Sequence, residues 1–245
     1  MRIPRHHVTV PLRLNTEVEL DADSAHYLGK VLRLGAGQPL MLFNGRDGEF
    51  LGEISAVSKK QLRVLLTQQL PPCQADPVLP VHIGVGLSRG ERMDFIVQKA
   101  TELGVNTITP LFTEHGEVRL DEDRAGKRQA HWQKVAISAC EQSTRCQVPE
   151  IARPMSLPDW LSQIQHRNGG CFVLDHRQQA GFPRDPKPAA VTLLSGPEGG
   201  LSTMELDLAI NQHGFQPVRL GPRVLRTETA PLAALSLVQM LWGDF

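Results

Sequence analysis

Hydrophobic and polar positions follow two different rhythms along this chain, and the change of rhythm divides it. Over the first 70 residues the apolar positions mostly alternate with polar ones. Strands are predicted at Pro39–Phe43, Glu49–Val57 and Gln61–Gln68, separated by Asn44-Gly45-Arg46-Asp47-Gly48 and by Ser58-Lys59-Lys60. One stretch with helical period, about Ser24 to Leu34, lines up Ala25, Leu28, Val31 and Leu32 and stops at Gly35. Short strands with a single helix predict a compact barrel. Leu70-Pro71-Pro72-Cys73-Gln74-Ala75-Asp76-Pro77 follows, with three prolines in eight residues and little to pack. It sets the expected boundary between a unit at 1–72 and one at 73–245.

Beyond it, strand-like and helix-like runs alternate. Strands are predicted at Val78–Leu87, Thr107–Phe112, Cys171–Leu174, Val191–Leu194 and Phe215–Leu220. Helices are predicted at Glu91–Leu103, His131–Gln142, Thr203–Gln212 and Glu228–Trp242. This alternation predicts an α/β fold, a mostly parallel sheet with helices on both faces. The last helix leaves almost no polar face, since Leu232, Leu235, Leu237, Val238, Met240, Leu241 and Trp242 surround it. A helix apolar all round is buried, and at this position a subunit interface is the expected cover.

Two loops carry the candidate chemistry. Ser195-Gly196-Pro197-Glu198-Gly199-Gly200 follows one strand, and Gly221-Pro222-Arg223-Val224-Leu225-Arg226-Thr227-Glu228-Thr229 follows another. Either alone reads as a plain strand-to-helix turn. Together, at the carboxyl ends of successive strands, they predict one small-molecule pocket built mainly from main chain, because glycine lets the backbone approach a ligand closely. Glu141-Gln142-Ser143-Thr144-Arg145 reads either as a solvated helix end or as side chains directed into the same cleft. Arg2-Ile3-Pro4-Arg5-His6-His7 reads either as a frayed end or as an arm for phosphate. Gly84-Val85-Gly86-Leu87-Ser88-Arg89-Gly90 imitates a dinucleotide-binding turn, but its third glycine comes one place late and no acid closes the following strand.

Composition narrows the class. Hydrophobic residues make up 41% and charged residues 21%, as in a soluble globular protein. Met1 to Arg13 has no apolar core of a signal peptide, and the longest uncharged apolar stretch, Thr229 to Gly243, is too short to span a bilayer. Cys73, Cys140, Cys146 and Cys171 form no CxxC pair, so neither a structural metal nor a disulfide scaffold is expected, and a reducing cytoplasm is. The net charge is zero, which argues against gripping nucleic acid by bulk charge. Local basic clusters remain at Arg2 and Arg5, at Arg89 and Arg92, and at Arg219, Arg223 and Arg226.

Four segments then show a resemblance. Glu91-Arg92-Met93-Asp94-Phe95-Ile96-Val97-Gln98-Lys99-Ala100-Thr101-Glu102-Leu103-Gly104-Val105, Trp132 to Ala136 with Glu141-Gln142, Gly196 to Ser202, and Leu220 to Ala230 resemble the ribosomal RNA small subunit methyltransferase E family, within the SPOUT methyltransferases. The likeness runs over essentially the whole chain. It implies a PUA-like β-barrel at the N-terminus that docks RNA and a SPOUT-type catalytic domain whose C-terminal segment threads a trefoil knot, a topology general chain rules never predict. It implies a homodimer that transfers the methyl group of S-adenosyl-L-methionine to N3 of a uridine in small-subunit ribosomal RNA, on the assembled subunit. The cofactor would be held by Leu174, Leu194, Gly196, Pro197, Glu198, Gly199, Gly200, Leu220, Gly221, Leu225, Arg226 and Thr227. Arg2, Arg5, Arg89 and Arg92 would contact RNA.

N3 of uracil is a poor nucleophile while protonated, so a base, or a cation that stabilises the uracil anion, is required. Glu198 and Glu228 are the nearest carboxylates. Arg5, Arg145 or Arg226 would hold the anion or a phosphate, and Arg226 and Glu228 are expected to orient each other. The chain departs from the family at His115, where an arginine is common. A competing reading is an RNA-binding assembly protein that kept the fold and lost the chemistry; the intact glycine loops speak against it.

Overall fold

The computed structural model describes residues 3–58, 61–164 and 169–245. It separates into two compact units, Met1–Asp76 with Cys140–Val148, and Pro77–Ala139 with Pro149–Phe245. The first unit thus recruits a segment from far along the chain, which the reading of a single break after residue 72 does not contain.

In the first unit, strands β1 (Arg5–His7), β2 (Glu17–Leu20), β3 (Pro39–Phe43), β4 (Glu49–Val57) and β5 (Leu62–Gln69) form one sheet in the order β1-β3-β4-β5-β2. β1 runs parallel to β3, and the other pairs are antiparallel. Alternation in β5 buries Leu62, Val64 and Leu66 on one face, where they meet Leu40, Leu42, Ile54 and Leu28. Helix α1 (Ala22–His26) starts where Asp21 accepts the Ser24 N–H at 2.8 Å, then widens into a π-helical segment, Tyr27–Val31. The wider turn rotates Val31 and Leu32 off the apolar face. Ala25 and Leu28 are buried, while Val31 and Leu32 are exposed, contrary to the stripe read from the sequence.

The second unit holds a parallel sheet of β6 (Val81–Gly86), β7 (Thr107–Phe112), β8 (Glu150–Ile151), β9 (Met155–Ser156), β10 (Gly169–Leu174), β11 (Ala190–Ser195) and β12 (Gln216–Val218). Its order is β12-β10-β11-β6-β7-β8, with β9 also on β7. The helices are α2 (Arg92–Glu102), α3 (Glu122–Ser143), α4 (Leu157–Gln163), α5 (Thr203–Asp207, continued by the π-helical Leu208–Gln212) and α6 (Thr229–Trp242). One sheet face presents Cys171, Val173 and Leu194 to Trp160, Leu206 and Phe215. The other presents Phe172, whose ring stacks on Trp242 of α6. Helix α3 begins at Glu122 rather than His131 because Asp121 accepts the Arg124 N–H at 2.8 Å; among its early positions Ala125 is buried in a polar run, which hides the helical period.

Helix α6 is only half covered. Ala234, Leu235, Val238 and Trp242 are buried, whereas Leu237, Met240 and Leu241 are exposed. Gln239 sits on the buried face and donates from Nε2 to the carbonyls of Leu103 (3.1 Å) and Gly104 (3.4 Å), which end α2. The imitation dinucleotide turn serves packing: a Cβ on Gly84 would lie 2.6 Å from the Trp160 ring, and one on Gly86 2.5 Å from Pro197.

His82 lies in this core. The Trp160 indole N–H points at its Nε2 (3.2 Å) and Thr109 Oγ1 is 2.8 Å from the same atom, so Nε2 is the unprotonated nitrogen. Burial pushes its pKa down from 6.5 to about 4. The unfolded chain therefore binds a proton that the folded chain refuses between those values. Stability falls as pH drops through that window, by at most about 3 kcal/mol from this group. Urea unfolding of His82→Gln should lose less stability between neutral pH and pH about 4 than the wild type does; equal losses would remove His82 as the cause.

Candidate active site

The carboxyl ends of β10, β11 and β12 open into one cavity of about 220 Å³. Leu174, Asp175 and His176 follow β10; Ser195, Gly196, Pro197, Glu198, Gly199, Gly200 and Leu201 follow β11; Val218, Leu220, Gly221, Arg223, Val224, Leu225 and Thr227 come from β12 and the loop after it, and Ala230 from α6. Both glycine loops thus meet in one place. Leu194 does not line it: the side chain is fully buried between the sheet and α4–α5, one strand position before Ser195 reaches the cavity. Arg226 does not line it either; its side chain is exposed and its carbonyl accepts the Thr229 and Ala230 N–H groups that begin α6.

The first loop is held by its neighbours. Gly200 N–H closes a turn on Pro197 O at 2.9 Å, and Ser202 and Glu205 cap α5 reciprocally. Glu205 also accepts the Glu114 N–H at 2.8 Å. His115 stacks its Cβ where a Cβ on Gly199 would come within 2.9 Å, and its Nδ1 donates to Gly199 O at 3.1 Å. The residue that departs from the family pattern is therefore a buttress of the glycine loop. In the second loop Gly221 takes φ +104°, open to glycine without strain.

Asp175 was not predicted. Its carboxylate accepts from Arg177 Nε (2.8 Å) and Gln178 Nε2 (3.0 Å). Burial alone would raise its pKa, but these bonds outweigh it and hold the group ionised at the cavity wall. The signal missed was an acid directly following an apolar strand at the ligand end of the sheet.

The predicted charged residues separate. Glu198 and Glu228 share one cation, Arg92, whose guanidinium bonds Glu198 and lies 3.7 Å from Glu228 Oε2. Glu228 is thus oriented by Arg92 and not by Arg226. Burial pushes the Glu198 carboxyl up, but its own N–H, the Arg89 N–H and Arg92 bring it below the ordinary glutamate value. Arg89 Nε pairs with Glu117 at 2.7 Å. Arg89 and Arg92 are thus each paired with a carboxylate, and both side chains remain partly exposed.

Arg5 is no phosphate arm. It is buried, with Nε on Glu49, Nη1 on Cys140 O (2.8 Å) and Nη2 on Arg145 O (3.1 Å), and lies over the Phe43 ring. Arg145 is buried in the first unit, and Glu141 Oε1 accepts the His7 N–H at 3.0 Å; neither residue is among those that line the cavity. Arg2 lies outside the described residues. Cys73, Asp76 and Cys146 bring their ligand atoms within 4.8 Å of one another, a grouping their spacing conceals, though Asp76 Oδ1 is engaged by the N–H groups of Cys146 and Gln147.

Comparison with known proteins agrees with this arrangement. Residues 74–239 match the RNA methyltransferase domain family, and residues 20–67 the RNA methyltransferase PUA domain. The ribosomal RNA small subunit methyltransferase E of Buchnera aphidicola (from Schizaphis graminum) is 36% identical over 99% of this chain and 98% of its own. That of Bacillus subtilis is 30% identical over 92% of each. A crystal structure of the Neisseria gonorrhoeae methyltransferase E bound to S-adenosyl methionine superimposes with TM-score 0.92 at 33% identity, covering both chains fully. A putative Legionella pneumophila methyltransferase with bound cofactor SAM gives 0.93 at 37%, again over both full chains. The fold is that of these methyltransferases, with a PUA-like first unit, and the chain belongs to the ribosomal RNA small subunit methyltransferase E family.

Proposed function

We propose that this chain methylates N3 of a specific uridine in small-subunit ribosomal RNA, using S-adenosylmethionine bound in the glycine-loop cavity. The observation that carries the reading is that the two glycine loops line one cavity, in a chain whose structural neighbours from Legionella pneumophila and Neisseria gonorrhoeae were solved with that cofactor bound. The residues fit it. Leu174, Leu201, Val218, Leu220 and Leu225 offer an apolar wall for a purine, while the backbone of Gly196–Gly200 and Gly221 permits close main-chain approach without side chains in the way. Asp175 and Glu198 supply ionised carboxylates at the rim. When bound, the cofactor supplies an electrophilic methyl group on a sulfonium. The protein's own part is to hold acceptor and donor at near-attack distance in a rigid frame.

The rest of the reading concerns partners. The PUA-like unit docks RNA. Arg223, which lines the cavity, and Arg226 beside it are exposed and without an ion pair among the described residues, and are suited to a phosphate. A neutral chain depends on shape and local contacts, which favours the assembled subunit over naked RNA, and the cytoplasm, where such subunits are, as its site of action. The uncovered face of α6, with Met240 70% exposed, is the homodimer surface. The C-terminal segment threads a knot through the connection between β10 and β11; the bonds from Arg219 N–H to Ala180 O and from Trp242 Nε1 to Arg184 O hold that connection against both ends of the segment.

Labelled methyl transfer from S-adenosylmethionine to small subunits from a strain lacking the gene, with nuclease mapping, tests the function. Label at N3 of one uridine is expected; binding of the cofactor with no label on any RNA would overturn the reaction. Gly199→Val forces a side chain into His115 and should weaken cofactor binding at least about tenfold by calorimetry, the size of one lost well-made contact. Met240→Glu should convert a dimer to a monomer in sedimentation while leaving the thermal transition cooperative; an unchanged sedimentation coefficient would remove α6 from the interface.

A further inference from the structure

Past Glu198, which lines both, the cavity adjoins a second depression walled by Arg89, Arg92, Phe95, Glu117 and Glu228. Three features define what it accepts. Its two arginines are outnumbered by glutamates and bonded to them, so it repels phosphate rather than binding it. Phe95 is 46% exposed there, a flat apolar surface of the kind on which unpaired bases stack. And Glu228 Oε2 is buried yet accepts no hydrogen bond from any described residue; Arg92 Nε, 3.7 Å away, balances its charge without bonding it. A buried acceptor left without a donor is costly, and a ligand N–H relieves it.

The two candidate carboxylates are thereby distinguished. Glu198 accepts the Arg89 N–H at 3.2 Å and the Arg92 guanidinium, and is a poor proton acceptor for that reason. Glu228 lines the same groove with its side chain 21% exposed, and its Oε2 accepts no hydrogen bond from any described residue. We infer that the groove takes the target uracil against Phe95 and that Glu228 is the general base for its N3 proton. This rests on the reading that N3 of a uridine is the acceptor. The N3–H electron pair stays on nitrogen and forms the new N–C bond, the proton passes to the Glu228 carboxylate, and the pair of the broken S–C bond stays on sulfur. Arg92 is a positioning residue, holding Glu228 beside the groove while bonded to Glu198.

Wild type and Glu228→Gln are compared for labelled transfer to unmodified small subunits, with S-adenosylmethionine affinity by calorimetry alongside. The amide keeps the shape but cannot take the proton. We expect kcat to fall about 10²–10⁴-fold at neutral pH, cofactor affinity to stay unchanged, and the residual rate to climb with pH as uracil ionises unaided. A wild-type kcat in the variant overturns the assignment. So does a reduced rate that does not recover with pH, or one that tracks lost cofactor binding, since either marks a structural role. If Glu228→Gln does not fold, Glu228→Asp decides: a displaced acid limb of the pH–rate profile supports the base, an unmoved one overturns it. A wild type that binds the cofactor but leaves N3 of every uridine unlabelled overturns the underlying reading instead.

Discussion

A single helix, α2, acts as the strut on which the cavity-bearing end of the second unit is built. At its first residue Arg92 grips Glu198 of one glycine loop and neutralises Glu228 at the start of α6. At its other end the carbonyls of Leu103 and Gly104 are held by Gln239, late in α6. The two helices are thus pinned at both ends and run side by side in the same direction. Each ion pair is half-exposed and weak by itself, but a cation shared between two loops couples their positions in a way neither pair alone would. The buried amide at the far end matters for a different reason: without it, two helix-terminal carbonyls in the core would lose their donor.

The glycine loops were legible because their signal is local. A glycine-rich run after an apolar strand states its conformational purpose in consecutive letters, and the strands Pro39–Phe43, Glu49–Val57 and Thr107–Phe112 read true for the same reason. Charge partners were not legible. Arg92 and Glu198 stand 106 residues apart, and nothing in either neighbourhood names the other. Sequence adjacency offered Arg226 to Glu228 instead, but the turn that starts α6 uses the Arg226 backbone and leaves its side chain outside. Leu194 failed by one position, since the alternation of a strand puts neighbours on opposite sides and the cavity takes Ser195.

Glycine spacing also misleads where its purpose is packing. Gly84 and Gly86 match part of a nucleotide-binding pattern, yet one makes room for an indole and the other for Pro197 of the loop next door. The second contact is functional at one remove: it lets β6 press against the cavity-forming loop from behind, as His115 does from the side. An arginine at position 115 could not pack in that way and bond Gly199 O with a ring nitrogen, so this chain supports its loop with a residue chosen for shape.

The first unit has no continuous gene-level counterpart. Its buried Arg5 finds its carbonyl acceptors at Cys140, Glu141 and Arg145, on a segment reached only after β6 and β7 of the second sheet have been made. During synthesis the N-terminal sheet must therefore wait, with the Arg5 guanidinium paired to Glu49 but short of its carbonyl acceptors, until residue 148 has left the ribosome. Neither unit can be excised at the proline-rich linker and remain whole. Recombination at that linker would leave the Arg5 guanidinium without its carbonyl acceptors, which ties the first unit to the rest of its own chain through the order in which the chain is made.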